Sequence, residues 1–261
     1  MCVTCGCGDP TAVRVRTPGT AAPDRDHPHD HPHDHPHQLD HRHEAPVATR
    51  TIDIEQELLA KNDSLAEDNR IWLSEHRIVA INLMSSPGSG KTTLLERTIR
   101  EAGAGRTVCV IEGDQETLFD AERIRATGAA VVQVNTGAGC HLDADMLRRG
   151  IMSLDPPDGS LLLVENVGNL VCPALFDLGE AGKVVVISVT EGDDKPLKYP
   201  HMFAAADLIV INKIDLLPYV DFDVARCQRD ARKLNPEVRI LALSVKSGVG
   251  MDAWYQWLAN L

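Results

Sequence analysis

The sequence lacks three features that would mark a membrane, secreted or nucleic-acid-binding protein. No apolar run approaches the roughly 18 residues that a membrane helix needs, and the start, MCVTCGCGDP, has neither the basic flank nor the apolar stretch of a signal peptide. The 26 basic residues are outnumbered by 38 acidic ones, which gives a net charge of −12 and leaves no basic footprint for nucleic acid. We therefore expect a cytoplasmic protein that binds neither membranes nor nucleic acid, with its 7 cysteines present as thiols.

Cysteine and histidine are abundant, by contrast, in the first 50 residues. This segment holds eight of the 11 histidines and three of the 7 cysteines. It is dense in proline and has almost no large apolar side chains, so it cannot bury enough surface to offset its ordering entropy. We predict a largely disordered, Cys- and His-rich metal-binding arm over residues 1–50 and a globular domain over residues 51–261.

The globular part has the pattern of an α/β protein. One apolar stripe at helical spacing is predicted for its opening helix: Ile54, Leu58, Leu65 and Trp72. Short β-rich runs then alternate with helical stretches: IVAINLM, TVCVIEG, AAVVQV, LLLVEN, KVVVISV, DLIVINK and VRILAL. The alternation predicts an open, mainly parallel sheet with helices on both faces. The last residues predict a docked C-terminal helix: Trp254, Trp257, Leu258 and Leu261.

The string SSPGSGKTT lies between the first of these runs and a helical stretch. A glycine-rich turn there lets backbone N–H groups surround phosphate oxygens, and the helix N-terminus adds a favourable dipole. We expect Lys91 to reach the β- and γ-phosphates and the Thr92 hydroxyl to bind Mg²⁺. Ser85 stands where the usual motif has its first glycine, so an ordinary turn with a surface lysine is the alternative. The predicted phosphate loop comprises Gly88, Ser89, Gly90, Lys91, Thr92 and Thr93.

Two further strings predict recognition of guanine. In NKID, the Asp215 carboxylate can accept hydrogen bonds from both N1–H and the exocyclic amine of guanine, whereas adenine offers an acceptor at N1 and no amine there. We expect Asn212 to brace the base edge and the stem of Lys213 to cover the base face. The string SVKS fits a loop that contacts the guanine oxygen through Ser244 and Lys246. Residues 51–261 are therefore predicted to form a GTPase domain.

A fourth string, LLLVENVGN, ends in Glu165 and Gly168. An acidic residue at the carboxyl end of a strand beside the phosphate loop suits Mg²⁺ or the attacking water, and the Gly168 N–H could sense the γ-phosphate. Asp114, in EGDQET, is the other candidate Mg²⁺ ligand, and an ordinary strand-end acid is the alternative for Glu165. The candidate catalytic residues are Lys91, Asp114 and Glu165. Because no glutamine is obviously placed to orient the attacking water, we expect slow hydrolysis.

The N-terminal arm holds two groups of candidate metal ligands. Cys2, Cys5 and Cys7 form C-x-x-C-G-C, and with Met1 removed the free α-amino group would complete a square-planar set that favours Ni(II) over tetrahedral Zn(II). Exposed, oxidisable thiols are the alternative. Imidazoles at nearly every second residue would bind metal ions weakly, as in storage, unless the segment is only a solvated linker or a tag. These are His27, His29, His31, His33, His35, His37, His41 and His43.

A third candidate metal site lies inside the globular domain. Cys140 and His141 are adjacent, and Cys172 lies four residues beyond the candidate γ-phosphate sensor. A metal ligand there would be moved by whatever the nucleotide does to that loop, so the nucleotide state would alter metal affinity. Water or a second copy of the chain could complete the three ligands. A small core residue is the alternative for each of these cysteines, and it is the interpretation we adopt for Cys109 and Cys227.

Together these strings resemble the HypB family of hydrogenase nickel-incorporation GTPases. The likeness rests on CVTCGCG, the histidine-rich arm, SSPGSGKTT, EGDQET, NTGAGCHLD, VENVGNLVCP, NKIDLLP and SVKSG, and covers essentially the whole chain. It implies a P-loop NTPase fold of the SIMIBI type. It also implies a GTPase that forms a nucleotide-dependent homodimer and delivers Ni(II) to the large subunit of nickel-iron hydrogenase. The implied partners are a zinc-containing accessory protein of the HypA type and a SlyD-like nickel-binding prolyl isomerase.

The resemblance also assigns the metal sites. It places Cys140, His141 and Cys172 at the family's site near the dimer interface, which takes Ni²⁺ or Zn²⁺. The three N-terminal cysteines match a tight nickel site that some members have. Two other functions stay open: a nickel or zinc storage protein in which the GTPase domain only sets the oligomeric state, and a urease-type nickel GTPase, although in that group a proline separates the metal-binding pair.

Overall fold

The computed structural model describes residues 14–16, 47–101, 105–115, 119–137 and 139–261. Its strands are β1 (Arg14–Arg16), β2 (Val79–Ser85), β3 (Val108–Asp114), β4 (Ala130–Asn135), β5 (Leu161–Gly168), β6 (Gly182–Ser188), β7 (Leu208–Asn212) and β8 (Arg239–Ala242). The α-helices are α1 (Val47–Glu75), α2 (Lys91–Glu101), α3 (Phe119–Arg125), α4 (Ala144–Leu154), α5 (Lys195–Lys198), α6 (Pro200–Ala204), α7 (Val224–Leu234) and α8 (Met251–Ala259). Two 3₁₀ helices cover Cys172–Ala174 and Ile214–Tyr219.

The strands form one sheet in the order β1-β4-β3-β5-β2-β6-β7-β8. Strands β2 to β8 are parallel, and β1 is added antiparallel to β4 at the edge. Each of the seven predicted strands is confirmed, and so is the mainly parallel sheet. Because parallel strands end at the same edge of a sheet, the carboxyl ends of β2, β3, β5 and β7 meet where ligands bind in open α/β folds.

Helices cover both faces of the sheet, as predicted. One face packs against α2, α3 and α8, and the other against α1, α4, α6 and α7. The predicted C-terminal helix is confirmed as α8, whose Trp254 is fully buried and donates from Nε1 to the Thr98 hydroxyl at 2.8 Å. Cys109 and Cys227 lie in these apolar cores, in agreement with the interpretation given to them.

The predicted apolar stripe of α1 is wrong in part, although Trp72 does pack against the core. Leu58 is 44% exposed, and the face that is buried carries Asn62, Ala66, Asn69 and Leu73. The two asparagines are buried because they bind backbone: Asn62 donates to the Asp177 carbonyl at 2.8 Å, and Asn69 donates to the carbonyls of Ala144 and Leu178. A search for apolar residues at helical spacing could not identify this face, because two of its four residues are asparagines.

Two described elements begin within residues 1–50, the predicted N-terminal arm. Strand β1 lies inside residues 1–50, and α1 begins at Val47, before the predicted boundary. The candidate metal ligands of the arm, namely the three N-terminal cysteines and the eight histidines, lie outside the described residues. Within the described ranges, no helix has both the length and the apolar character that a membrane crossing requires.

Candidate nucleotide and metal site

The phosphate loop joins β2 to α2 in a conformation that only glycine adopts readily. Gly88 and Gly90 have φ of 76° and 101°, and a Cβ on Gly90 would lie 2.6 Å from the Asn212 side-chain nitrogen. Lys91 Nζ donates to the Ser85 hydroxyl at 2.7 Å. The serine at the unusual first position of the motif therefore holds the lysine in place.

A cavity of about 520 Å³ opens over this loop. Its walls are the phosphate loop and the carboxyl ends of β3 and β5, with Asp114, Glu165, Gly168 and Lys213 among the lining residues. Thr92 and Thr93 line it as well. Its volume lies within the range that is usual for small-molecule and cofactor sites. The predicted phosphate-binding and Mg²⁺-binding residues are thus brought to one cavity.

Lys91 is a buried cation among carboxylates. It is 8% exposed, and burial lowers the pKa of its ammonium group, opposed by the nearby Glu165, Asp120 and Glu112. The loss of hydration favours a negatively charged ligand at Nζ, because a phosphate would restore the interactions that water no longer provides.

Two buried glutamates face the cavity from neighbouring strands. Glu165 accepts a 2.7 Å hydrogen bond from the Thr92 hydroxyl through Oε1, and Glu112 is its register partner on β3. Within the described part of the chain, the Oε2 atom of each is buried without a hydrogen-bond partner. Burial raises the pKa of both carboxyls, that of Glu112 to about 9, with Glu165 and Asp114 adding to the effect. In their ionised form, the oxygens of these two groups beside a threonine hydroxyl fit the ligand preferences of Mg²⁺.

Glu112 was missed by sequence reasoning. It lies inside the run TVCVIEG, where its neighbours are apolar, and two residues before the more obvious Asp114. A charged residue inside an otherwise apolar strand is a signal in itself, since an acidic side chain is almost never fully buried without a partner.

Asn212 has a structural role that the sequence did not predict. Its Nδ2 donates to the Ser89 carbonyl at 2.9 Å, and its Oδ1 accepts from the Val245 N–H at 3.2 Å. The side chain therefore fastens the phosphate loop to the loop after β8, and its place at the base edge stays a prediction. Lys213 adopts φ of 62° and donates from Nζ to the Gly88 carbonyl at 2.6 Å, so it too spans from β7 to the phosphate loop.

Asp215 lies beside the loop that the string SVKS forms. Its Oδ1 accepts a 2.6 Å hydrogen bond from the hydroxyl of Ser244, which itself accepts from the Ser247 N–H at 3.0 Å. Ser244 thus orients the carboxylate predicted to recognise guanine, and Lys246 is exposed at the same edge. These residues are close to one another, outside the walls of the phosphate cavity.

The end of β5 is pressed against the phosphate loop. A Cβ added to Gly168 would lie 3.2 Å from Pro87 Cγ and 3.3 Å from Pro87 Cα. Such distances are tight for a side-chain atom, so glycine at this position permits the close backbone approach. The phosphate loop is therefore in close contact with the strand that leads to Cys172.

The structure brings Cys140, His141 and Cys172 together. One ligand atom from each lies within 4.8 Å of the others, and the two Sγ atoms are 2.9 Å apart. His141 is buried against Phe176, with ring centroids 3.9 Å apart. Burial lowers the pKa of the imidazole, which favours the neutral form that binds metals. Two thiols and an imidazole suit Ni²⁺ or Zn²⁺.

Comparison with known proteins gives the family of this chain. The model of the CobW/HypB/UreG nucleotide-binding domain matches residues 79–242. A hydrogenase maturation factor HypB of Azotobacter chroococcum mcd 1 is 57% identical over 210 residues, which are 80% of this chain and 69% of that protein. The chain belongs to the HypB family.

Two solved structures of HypB proteins resemble this HypB-family chain throughout its globular part. HypB from Archaeoglobus fulgidus has a TM-score of 0.72 and 45% identity, covering 77% of this chain and 98% of its own. HypB from Helicobacter pylori, crystallised in complex with nickel, has a TM-score of 0.72 and 39% identity, covering 77% of this chain and 94% of its own. The predicted family and fold class are therefore confirmed.

Iodoacetamide at pH 8 is expected to label Cys140 and Cys172 of the folded, metal-free chain much faster than Cys109 and Cys227. The first two thiols are half-buried. Burial raises the pKa of the Cys109 thiol and raises that of Cys227 to about 12, so the reactive thiolate is scarce at both. Peptide masses after timed labelling would measure the rates, with the unfolded chain as the control in which all four react. Equal rates for Cys172 and Cys227 in the folded chain would contradict the expectation.

Proposed function

We propose that this HypB-family chain is a GTP-hydrolysing nickel metallochaperone that acts in the cytoplasm during maturation of nickel-iron hydrogenase. Ni(II) is its cargo, held by Cys140, His141 and Cys172, and the nucleotide state controls release. One observation carries the proposal: the short segment 165–172 begins at Glu165 in the phosphate cavity and ends at Cys172 in the thiol-imidazole triad.

In this proposal the phosphate loop binds GTP through its backbone N–H groups, and Lys91 contacts the β- and γ-phosphates. Charge that develops on the transferred phosphoryl group is stabilised by the lysine ammonium, which is already desolvated and in position. Asp215, oriented by Ser244, accepts from guanine. Glu165 is placed to orient water or a metal-bound ligand beside the Thr92 hydroxyl. We propose slow intrinsic hydrolysis, as expected for a switch.

Mg²⁺ is proposed as the cofactor of the nucleotide. The fit rests on the buried Oε2 atoms of Glu165 and Glu112, which have no hydrogen-bond partner in the described part of the chain. Thr92, Asp114 and Glu165 would hold the ion, and it would neutralise phosphate charge. Glu112 supports this arrangement from the next strand.

Nickel delivery is favoured over storage because the triad depends on the position of β5. Gly168 lies against the phosphate loop, and the Cys140 carbonyl accepts from Asn169 Nδ2 at 3.2 Å. A γ-phosphate contact at Gly168 would shift Asn169 and, four residues beyond Gly168, Cys172. The metal ligands would then change their spacing with the nucleotide, as release requires.

A nucleotide- and metal-dependent homodimer is part of the proposal. Three ligands leave a tetrahedral or square-planar metal incomplete, and a second copy can supply the remainder. Val171 and Leu175, which flank Cys172 in the chain, are 51% and 41% exposed, an apolar setting that a partner surface would cover. The hydrogenase large subunit, a HypA-type accessory protein and a SlyD-like isomerase are the proposed partners, and Zn²⁺ is the alternative occupant of the triad.

Hydrogenase maturation in cells tests delivery against storage. Cells that carry Lys91→Ala or Asp215→Asn in place of the natural chain are expected to lose hydrogenase activity, even though the histidine arm is intact. Cells in which residues 24–44 are deleted are expected to retain it when nickel is plentiful. Hydrogenase activity that survives both point substitutions but is lost with the deletion would favour the storage function. Cys172→Ser, with Cys227→Ala as a matched control, tests the triad in the same assay.

A further inference from the structure

Successive residues of β5 face opposite sides of the sheet. Neighbouring residues of this strand can therefore contact the phosphate cavity and the metal-binding triad, respectively. Glu165 follows Leu161 and Leu163 on the face that packs against α2, where it meets Thr92. Asn166 follows Leu162 and Val164 on the face that packs against α1 and α4. At the end of β5, Glu165 therefore contacts Thr92 of the phosphate loop, and the next residue, Asn166, contacts the loop that carries Cys140 and His141.

Asn166 is buried, 1% exposed, and binds the metal-binding loop directly. Its Oδ1 accepts from the Leu142 N–H at 3.0 Å, one residue after His141. The same oxygen accepts from the Val167 N–H at 2.9 Å, and Nδ2 donates to Asn82 Oδ1 at 3.2 Å. All three partners are within hydrogen-bonding distance, so the carboxamide has no freedom to turn without losing one of them.

The contacts continue into a network of buried hydrogen bonds that closes into a ring through the backbone of residues 142–144. Asn82, on the strand that leads into the phosphate loop, donates to Glu180 Oε1 at 3.0 Å, and Glu180 Oε2 accepts from the Leu178 N–H at 2.7 Å. Asn69 donates to the carbonyls of both Leu178 and Ala144, which returns the ring to the residues beside Leu142. A fully satisfied buried network resists change at one member alone.

From this geometry we propose that Asn166 is the positioning residue that transmits movement of the β5 end to the Cys140–His141 pair. The inference rests on the proposed function, in which the nucleotide state controls the metal. When the backbone of Glu165 to Gly168 shifts with the γ-phosphate, the Asn166 carboxamide moves with it. The Leu142 N–H follows, and His141 and Cys140 change position relative to Cys172.

Asn62 provides a matched control. Its Oδ1 accepts from the Ala144 N–H at 2.9 Å, so it also holds the backbone just after the metal-binding pair with a side-chain amide. It lies on α1, however, whereas Asn166 lies on β5, whose end is in close contact with the phosphate loop. Removing Asn62 should loosen the same loop without cutting the connection to the nucleotide.

The experiment measures Ni(II) affinity of the full chain with GDP and with a non-hydrolysable GTP analogue. Cys2→Ser, Cys5→Ser and Cys7→Ser are present in every sample, so the nickel-thiolate absorption reports the internal site. We expect the two dissociation constants of this reference chain to differ by about tenfold. Asn166→Ala should bring the ratio to within about twofold of one, and Asn62→Ala should retain the reference ratio.

The outcomes separate the two proposals. A ratio of one in the reference chain would defeat the nucleotide control of the metal, and this inference with it. An unchanged ratio in Asn166→Ala, or an equal loss in Asn62→Ala, would overturn the inference alone. Asn166→Thr serves if the alanine variant does not fold, since a β-branched residue suits a strand and its hydroxyl is too short to reach the Leu142 N–H. GDP affinity of each variant checks that the nucleotide site is intact.

Discussion

Replacing Lys91 by alanine is expected to reduce the rate of GTP hydrolysis by at least about 100-fold, the usual effect of removing one positioned charge-stabilising donor. The ammonium group is buried, fixed by the Ser85 hydroxyl at 2.7 Å and surrounded by carboxylates. Phosphoryl transfer is catalysed mainly by positioning and electrostatics, so a pre-placed, desolvated cation is the group whose loss costs most. Phosphate release under single-turnover conditions, with Mg²⁺ and saturating protein, measures the rate.

Lys233→Ala is the control for this substitution. Lys233 pairs with Asp230 at 2.6 Å on α7, and its side chain is exposed, so the variant removes a lysine charge without touching the cavity. It should hydrolyse GTP at the wild-type rate. A Lys91→Ala protein that stays within about tenfold of wild type would show that Lys91 does not contact the transferred phosphate.

Asp215→Asn is expected to weaken GTP binding by about 100-fold. Two charge-assisted hydrogen bonds to guanine, at about 1.5 kcal/mol each, are replaced by one neutral acceptor and one amide that opposes the N–H groups of the base. The sum of about 3 kcal/mol corresponds to a factor of about 100 in the dissociation constant. The variant should fold, because an asparagine oxygen can still accept from the Ser244 hydroxyl.

Asp215→Asn should also gain affinity for a different nucleotide, xanthosine triphosphate. Xanthine has a carbonyl where guanine has its exocyclic amine, and that carbonyl can accept from the asparagine amide. The variant should therefore bind the xanthine nucleotide more tightly than wild type does, while Asp221→Asn, an exposed change six residues further along the chain, alters neither affinity. Competition against a fluorescent nucleotide measures both constants. Unchanged GTP affinity in Asp215→Asn would remove Asp215 from base recognition.

Sequence reasoning predicted most of the sheet and the parts of the site that depend on local pattern. The strands β2 to β8 follow from short apolar runs between turns, and the phosphate loop follows from its glycines and Lys91. The proximity of Cys172 to Cys140 could also be suspected, since both lie after the carboxyl ends of parallel strands, which converge at one edge.

The rest depends on tertiary contacts that no local pattern contains. The buried face of α1 includes two asparagines because their amide groups donate hydrogen bonds to the backbone carbonyls of residues 144, 177 and 178. The string NKID predicts a place for Asn212 at the base edge, but it gives no sign of the hydrogen bond from its amide to the Ser89 carbonyl across the fold. The buried carboxyl of Glu112 becomes notable only once β3 and β5 are paired.

The rate at which nickel leaves the internal triad shows whether the bound nucleotide controls the metal. The full chain with serine at positions 2, 5 and 7 is loaded with Ni(II), and a chelator is added in excess while the nickel-thiolate absorption is followed. With GDP bound and with a non-hydrolysable GTP analogue bound, the account predicts release rates that differ by at least about fivefold. Identical rates in the two nucleotide states would contradict it, and would leave the Cys140, His141 and Cys172 cluster as a site that the nucleotide does not control.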